Sequence, residues 1–432
     1  MDEATLDAVN IGRGAPRSRR VHPGWIVAAV AFLALVAAAG FRAAPSALML
    51  PLEEEFGWSR SVISSAVTVN LLLYGLMAPF AAALMSRFGI RIVTTIALLL
   101  VAAGAGISVF ATSPWVLVLT WGVLIGLGTG SMALVFAATV ADAWFVRHRG
   151  LVVGTLTAGG ATGQLVFLPL VAAIAEDQGW RAATLIVCGA SLAVIPLVLI
   201  FVRNRPSDLG LLPVGAPADW VEPPRARGNA ALLALRTLGR ASRSRTFWAL
   251  VAGFAICGAT TNGLVGTHFI PSAHDHGMAQ TTAAGLLAVV GIFDVIGTIA
   301  SGWLTDRFNP RLLLGVYYAG RGLGLAVLPF LLSDTVRPPI IVFVIIYGLD
   351  WVATVPPTVA LCRELFGPDG PIVFGWVFAA HQFGAAFAAT MAGVIRDTTG
   401  DYSVAWFGAA GLCVVAAVVS LSIRRVRTPE RV

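Results

Sequence analysis

GIFDVIGTIASGWLTDRFNPR, residues 291–311, is an apolar run that carries one carboxylate, Asp294, and then stops in a short charged loop, Thr305 to Arg311. An earlier stretch does much the same. The apolar run from Leu73 ends in LMSRFGIR, with Asn70 just before it. Pairing Leu84 with Leu304, Ser86 with Asp306, Arg87 with Arg307, Phe88 with Phe308 and Arg91 with Arg311 needs a single offset of 220 residues. Phe145 with Phe366, Gly150 with Pro371, Gly163 with Gly384 and Gly179 with Gly400 keep an offset of 221. The chain therefore reads as two copies of one plan, which decides the fold before any local motif does.

Composition places both copies in a bilayer. Hydrophobic residues make up 57% of the chain and charged residues 12%, against about a quarter charged in soluble domains. The apolar runs are long and lack alternation, so they predict spanning helices and exclude an outer-membrane barrel. Twelve spans are counted, in an all-helical membrane protein. Residues 1–22 form an N-terminal tail, 23–202 a six-helix bundle, 203–245 a linker, 246–423 a second bundle and 424–432 a C-terminal tail. Within the linker, Asn229 predicts the cap of an amphipathic helix with Leu232, Leu233, Leu235 and Leu238 on one side.

All 29 basic residues are arginine, and the formal net charge of +7 raises the question of a nucleic-acid partner. Their distribution answers it. Twenty-three lie in the segments that are cytoplasmic if the N-terminus is, and only Arg60, Arg181, Arg337 and Arg396 lie in the opposite loops. Arginine bias of this kind orients membrane proteins, so both termini are expected in the cytoplasm of a bacterial inner membrane. The polar first 22 residues read as a tail and not as a signal peptide. Cys188, Cys257, Cys362 and Cys413 sit on separate spans with no paired spacing, so neither a disulfide framework nor a metal or other cofactor is expected.

Charges inside a bilayer are costly, roughly 2.5 to 3.5 kcal/mol each at mid-depth. Four are predicted there: Arg42 (span 1), Asp294 (span 8), Arg321 (span 9) and Asp350 (span 10). Arg42 matches the geometry of a carboxylate ligand, with a snorkelling or paired arginine as the alternative. Asp294 heads a stripe of Thr298, Ser301 and Thr305, and Asp350 one of Thr354 and Thr358. Each is a candidate proton carrier, and Arg321 is either an additional substrate ligand or the partner of one of these acids. Among neutral groups, Tyr74, Gln164, Asn262, His381 and Gln382 are candidate substrate ligands, with His268 a further position of the same kind. Overlapping GxxxG spacings at Gly122, Gly126 and Gly130 predict a close helix crossing in span 4. IPSAHDHG, with His274 and His276, reads as a solvated loop.

SRFGIR and GWLTDRFNPR resemble the GxLxDRxGxR signature that follows the second span of each half in the major facilitator superfamily. FGWSRSVIS (56–64), WFVRHRGLVVG (144–154) and RNRPSDLGLLPVG (203–215) are similar to its monocarboxylate-transporter-like and oxalate/formate-antiporter-like branch. The resemblance implies two six-helix halves with substrate bound near mid-membrane between them. It also implies that span 1 borders the cavity and that an arginine follows the span 8 acid by four residues. Thr298 stands at that arginine position. The expected activity is transport of a small organic anion, a monocarboxylate, by alternating access with proton symport. Anion exchange and efflux of hydrophobic or cationic compounds are the alternatives within transport, and a membrane sensor or scaffold is the alternative outside it; the protein is expected to be monomeric. No enzyme constellation is present. Asp306, Arg307, Arg87, Arg91 and Arg363 are the expected gating residues, with Asp306 meeting Arg363.

Overall fold

A computed structural model describes residues 22–58, 60–217, 219–222 and 229–423; side chains at 42–47, 49–50, 60–62, 64, 172, 280–281 and 397 fall outside the described set. Eleven helical stretches among the described residues are long and apolar enough to cross a membrane. One of them, Pro338–Arg396, is 59 residues long, about three times what a bilayer needs. It reverses at Gly367, whose φ is +56°, before the helix Gly370–Thr399. Twelve crossings result, and the chain is a multi-pass membrane protein.

The repeat is visible in how glycines let helices meet. A Cβ on Gly163 (span 5, Arg149–Gln178) would lie 2.5 Å from Val36 O of span 1 (Pro23–Phe56). Its counterpart Gly384, in span 11 (Gly370–Thr399), would put one 2.1 Å from Ala255 O of span 7 (Arg245–Asp275). Any side chain at either position forces a pair of helices apart. The span 4 stripe behaves as its spacing predicts: Gly122, Gly126 and Gly130 lie against span 2 (Arg60–Phe88), with Cβ approaches of 2.9–3.1 Å to its backbone or side chains. Asn70 Nδ2 ties the same crossing by donating to Trp121 O at 2.7 Å.

Two local features stand out. PLEEEF continues the span 1 helix to Phe56, and Glu55 there accepts from Trp180 Nε1 at 2.6 Å and Arg181 Nη1 at 2.9 Å. Those donors, Arg181 first, hold the Glu55 carboxyl below its usual range. Span 10, expected as continuous, is broken. Its first half, Pro338–Asp350, and its second half, Val355–Phe366, are joined by a non-helical turn over 351–354. Pro356 and Pro357 explain the break, because neither has an N–H to donate to the preceding turn.

Side chains from other spans take up the freed backbone groups. Arg321 Nη2, from span 9 (Pro310–Leu331), donates to Asp350 O at 2.7 Å and Trp351 O at 3.2 Å. Ser301 Oγ, from span 8 (Gln280–Thr305), donates to Ala353 O at 2.5 Å. Asp294 Oδ1 accepts from Val352 N at 3.2 Å. Arg321 completes its fork with Nε to Asp350 Oδ2 at 2.6 Å and Nη1 to Cys257 Sγ at 3.1 Å and Thr260 Oγ1 at 3.4 Å. It is 1% exposed, yet each of its nitrogens is used.

The segment after span 6 docks on its own half. Val214 N donates to Trp144 O at 2.8 Å, Trp144 Nε1 to Arg203 O at 3.2 Å, and Arg91 N to Asn204 Oδ1 at 3.0 Å. The linker helix, Ala230–Ala241, is capped by Asn229 Oδ1, which accepts from Ala231 N and Leu232 N. Its Ala234 O accepts from Trp376 Nε1 of span 11 at 3.1 Å.

Removing one member of a buried ion pair strands the other, a loss of roughly 3–5 kcal/mol, whereas replacing both with apolar groups is far milder. Thermal unfolding in detergent should therefore rank wild type above the double variant Arg321→Leu/Asp350→Leu, and the double above Arg321→Leu alone. A double variant no more stable than the single would show that the pair's electrostatics do not govern this core.

Candidate functional site

A cavity of about 130 Å³ sits between the two halves. The first half lines it with Tyr74, Thr129, Thr157 and Gln164, among small apolar residues of spans 1 and 5. From the second half come Asn262, Asp294, Trp351, His381 and Gln382. Asn262 belongs to a π-helical segment, Ala259–Val265, of the type that re-aims side chains at functional sites.

Asp294 is the carboxylate in that lining. It is 5% exposed, and Thr298 Oγ1 donates to its Oδ1 at 2.8 Å. With the backbone of Val352 it has two neutral donors, which hold a carboxylate in place without neutralising it. Two further lining groups have no hydrogen-bond partner among the described residues: Thr157 Oγ1 and His381 Nδ1, on residues each 7% exposed. His381 is held between Phe254 and Phe378, with ring centroids 5.0 and 5.8 Å away. A buried polar atom left unpaired costs about 1–3 kcal/mol. A ligand that pairs with both atoms would contact spans 5 and 11 at once.

On the linker side of the cavity the halves are pressed together along two equivalent seams. A Cβ on Gly154 of span 5 would lie 2.5 Å from Thr298 O of span 8. The residue 221 positions later, Gly375 of span 11, would place one 2.6 Å from Pro79 Cα of span 2. One turn nearer the loop, a Cβ on Gly150 would lie 2.4 Å from Gly302 O, and one on Gly302 2.3 Å from Gly150 O. Charges lock the end of the seam. Asp306 Oδ1 accepts from Gly150 N at 2.7 Å and Oδ2 from Leu151 N at 2.9 Å, so a carboxylate of one half caps a helix N-terminus of the other. Arg363 Nη1 reaches Asp142 Oδ1 at 2.6 Å, again across the halves, and Arg149 Nε lies 3.8 Å from the same oxygen.

The family model described as Major Facilitator Superfamily matches residues 30–370. The chain belongs to this superfamily. The uncharacterized MFS-type transporter YcxA of Bacillus subtilis (strain 168) is 26% identical over 90% of this chain and 91% of its own. Monocarboxylate transporter 11 of Mus musculus is 28% identical, covering 93% and 88%. Among solved structures, the E. coli fucose:proton symporter FucP aligns with a TM-score of 0.70 at 15% identity, covering 94% and 100%. The human organic anion transporter MFSD10 (TETRAN) aligns at 0.71 and 14%, covering 93% and 100%.

Within this superfamily fold, the sequence-predicted residues separate into three groups. Tyr74, Gln164, Asn262, Asp294, His381 and Gln382 come together at the cavity. Arg321 and Asp350 do not line it: they pair with each other in the span 9–span 10 core, so Arg321 does not replace the arginine absent at Thr298. The side chain of Arg42 falls outside the described residues. Its backbone continues the span 1 helix, whose Leu35, Ala38 and Ala39 line the cavity.

Of the expected gate, Asp306 and Arg363 cross between halves, but to Gly150/Leu151 and Asp142 and not to each other. Arg307 lies over Trp303, 3.9 Å from its ring centroid, Arg87 over Phe88 at 4.7 Å, and Arg91 donates to Leu199 O, each within its own half. His268 is packed, bonded to Ala389 O at 2.8 Å and Tyr402 Oη at 3.2 Å. Thr157 and Asp142 were missed. Thr157 carries a legible signal, since it stands seven residues before Gln164 with Gly160 and Ala161 between, one helical face.

If the seams set the closed state, Gly375→Val should push the halves apart on the linker side. Maleimide labelling of a cysteine placed at Glu364, beside Arg363, should then rise several-fold. Gly411→Val, where a Cβ meets nothing within 4 Å, should leave it unchanged. Equal labelling in all three backgrounds would remove the seam from the account.

Proposed function

We propose that the chain is a secondary transporter that moves a small monocarboxylate across the bacterial inner membrane by alternating access, together with a proton carried by Asp294. One observation carries the reading: a buried carboxylate lines a small polar cavity between two halves that are sealed on one side. An acid so placed changes charge when it takes a proton, and the charge change alters how the cavity holds an anion. The cavity's size supports a substrate of a few heavy atoms and not a drug-sized one, whose pockets span about 300–1,000 Å³. The relatives named monocarboxylate transporters support the substrate class.

In the cycle, the arginine-rich side is the cytoplasm and the structure is the state closed to it. Arg42 receives the carboxylate from span 1, and Thr157 and His381 take the substrate's other polar atoms. Protonation of Asp294 removes a repelling charge as the anion enters. Release of Asp306 from Gly150 and Leu151, and of Arg363 from Asp142, opens the cytoplasmic side. Asp350, held by Arg321, stays out of the proton path.

Efflux of a cation is the second reading, favoured by a lining that contains a carboxylate and, among the described side chains, no arginine. Uptake of labelled lactate, pyruvate, formate, oxalate and a larger aromatic acid into proteoliposomes separates the two. One small monocarboxylate should accumulate only under an inward proton gradient. Asp294→Asn should abolish accumulation while sparing exchange of preloaded anion, and Arg42→Ala should abolish both in folded protein. Anion uptake that survives Arg42→Ala would sink the substrate assignment. A cation flux lost in Asp294→Asn but intact in Arg42→Ala would establish the second reading.

A further inference from the structure

A second cavity, of about 140 Å³, adjoins the central one, and Tyr74 and Gln164 line both. Its wall on span 2 is Val67, Asn70, Leu71 and Tyr74, which recur at i, i+3, i+4 and i+7 and so share one face of the helix. Span 1 adds Phe41, just beyond Ala39 of the central cavity, and span 4 (Pro114–Trp144) adds Trp121, about two turns before Thr129 of that cavity. Spans 2 and 4 run toward the linker side and span 1 runs away from it. All three therefore place the second cavity beyond the first, away from the glycine seams. From Tyr74 to Val67 is roughly 10 Å of helix.

The two cavities differ in chemistry. The central one holds the Asp294 carboxylate, whereas no charged side chain lines the second among the described residues. Aromatic rings back it: Phe41 and Trp121 meet edge to face with centroids 5.2 Å apart, and Tyr74 stands at the junction. Phe41 and Trp121 are packed almost completely, while Val67 is part-exposed and Leu71 54% exposed, so the wall has surface to offer a ligand. Asn70 is fixed in place by its Nδ2, which donates to Trp121 O. Gln164, also at the junction, is only part-buried, and its amide makes no hydrogen bond to another described residue. It is free for a polar atom of a ligand that lies across both cavities. An apolar cavity of about 150 Å³ holds a benzene molecule, so this one has room for a single aryl ring.

We propose that the second cavity is the tail subsite of the transported acid, and that the substrate is a 2-oxo or 2-hydroxy monocarboxylate bearing an aryl ring. This rests on the monocarboxylate reading given above and adds the substrate's far end to it. The acid head stays in the central cavity, the oxygen on the second carbon meets the Gln164 amide, and the ring enters along Val67 and Leu71. An amide suits either oxygen, since it donates to a carbonyl and accepts from a hydroxyl. The lining selects the tail. A second carboxylate would find no counter-charge among the described residues there, so a dicarboxylate is disfavoured. An alkyl chain must give up torsional freedom to fill the space, whereas a ring arrives rigid and meets aromatic edges and faces.

The test is the affinity of the full chain, purified in detergent, for pyruvate, phenylpyruvate and the naphthyl homologue of phenylpyruvate, measured by isothermal titration calorimetry. Phenylpyruvate should bind about tenfold more tightly than pyruvate, the worth of burying one phenyl group. The naphthyl acid, too large for the subsite, should lose that gain, which separates a bounded pocket from partition into detergent. Val67→Trp, which fills the second cavity, should bring the ratio of phenylpyruvate to pyruvate affinity close to one. Equal affinities of the wild-type protein for pyruvate and phenylpyruvate, or tighter binding of the naphthyl acid than of phenylpyruvate, would overturn the tail subsite and leave the small-acid reading standing. Binding of none of the three acids would overturn that reading and the subsite with it. Each overturning result is read on wild-type protein and does not depend on the variant folding.

Discussion

The structure depends on how Arg321 is satisfied. A guanidinium in the interior of a membrane protein is tolerable only where its donors all find acceptors, and the break in span 10 supplies them. Pro356 and Pro357 interrupt the helix, the interruption releases carbonyl oxygens, and Arg321 gathers two of these together with the Asp350 carboxylate. Neither feature is stable alone: an unbroken span 10 leaves the arginine short of partners, and a break without the arginine leaves bare carbonyls in an apolar environment. The same break frees Val352 N for Asp294. The fixed charge pair is thus what positions the acid that lines the cavity.

That division of labour sorts the four intramembrane charges. Arg321 and Asp350 neutralise each other in the core of the second half. Asp294 has only neutral donors, Thr298 and the Val352 backbone, and borders open space. A carboxylate without a cation among its hydrogen-bond partners keeps its response to protons and ligands, whereas one gripped by arginine loses most of it. The repeat adds the second requirement of an alternating device. Gly154 and Gly375, equivalent positions in the two copies, make equivalent close crossings between halves, so closure on the linker side is a property of the plan and not of one loop.

Much of this was legible in the sequence because the signals are local. Apolar run length fixes crossings, arginine bias fixes sidedness as an expectation, and a constant offset reveals the repeat. Polar and charged residues set within apolar runs pointed to six that meet at the cavity, from Tyr74 to Gln382, and glycine spacing pointed to the Gly122–Gly126–Gly130 crossing. What was not legible is choice of partner. Arg321 had two acids within plausible reach, and only packing shows that span 10 brings Asp350 to it while Asp294 turns to the cavity. Asp306 and Arg363 were assigned to each other as opposite charges on facing loops, but the backbone N–H groups of Gly150 and Leu151 outcompete an arginine for Asp306, and Asp142 takes Arg363. The Pro356–Pro357 pair is itself a sequence signal for the break, since neither residue has an N–H to donate.

The central claim is that proton and anion move together through the Asp294 cavity. The most direct measurement is the signal of a pH dye trapped inside proteoliposomes when an inward gradient of the transported acid is imposed with no initial pH difference. The account predicts acidification of the lumen well above that of protein-free vesicles, and none above that baseline with Asp294→Asn. Anion entry by the protein without lumen acidification would contradict it.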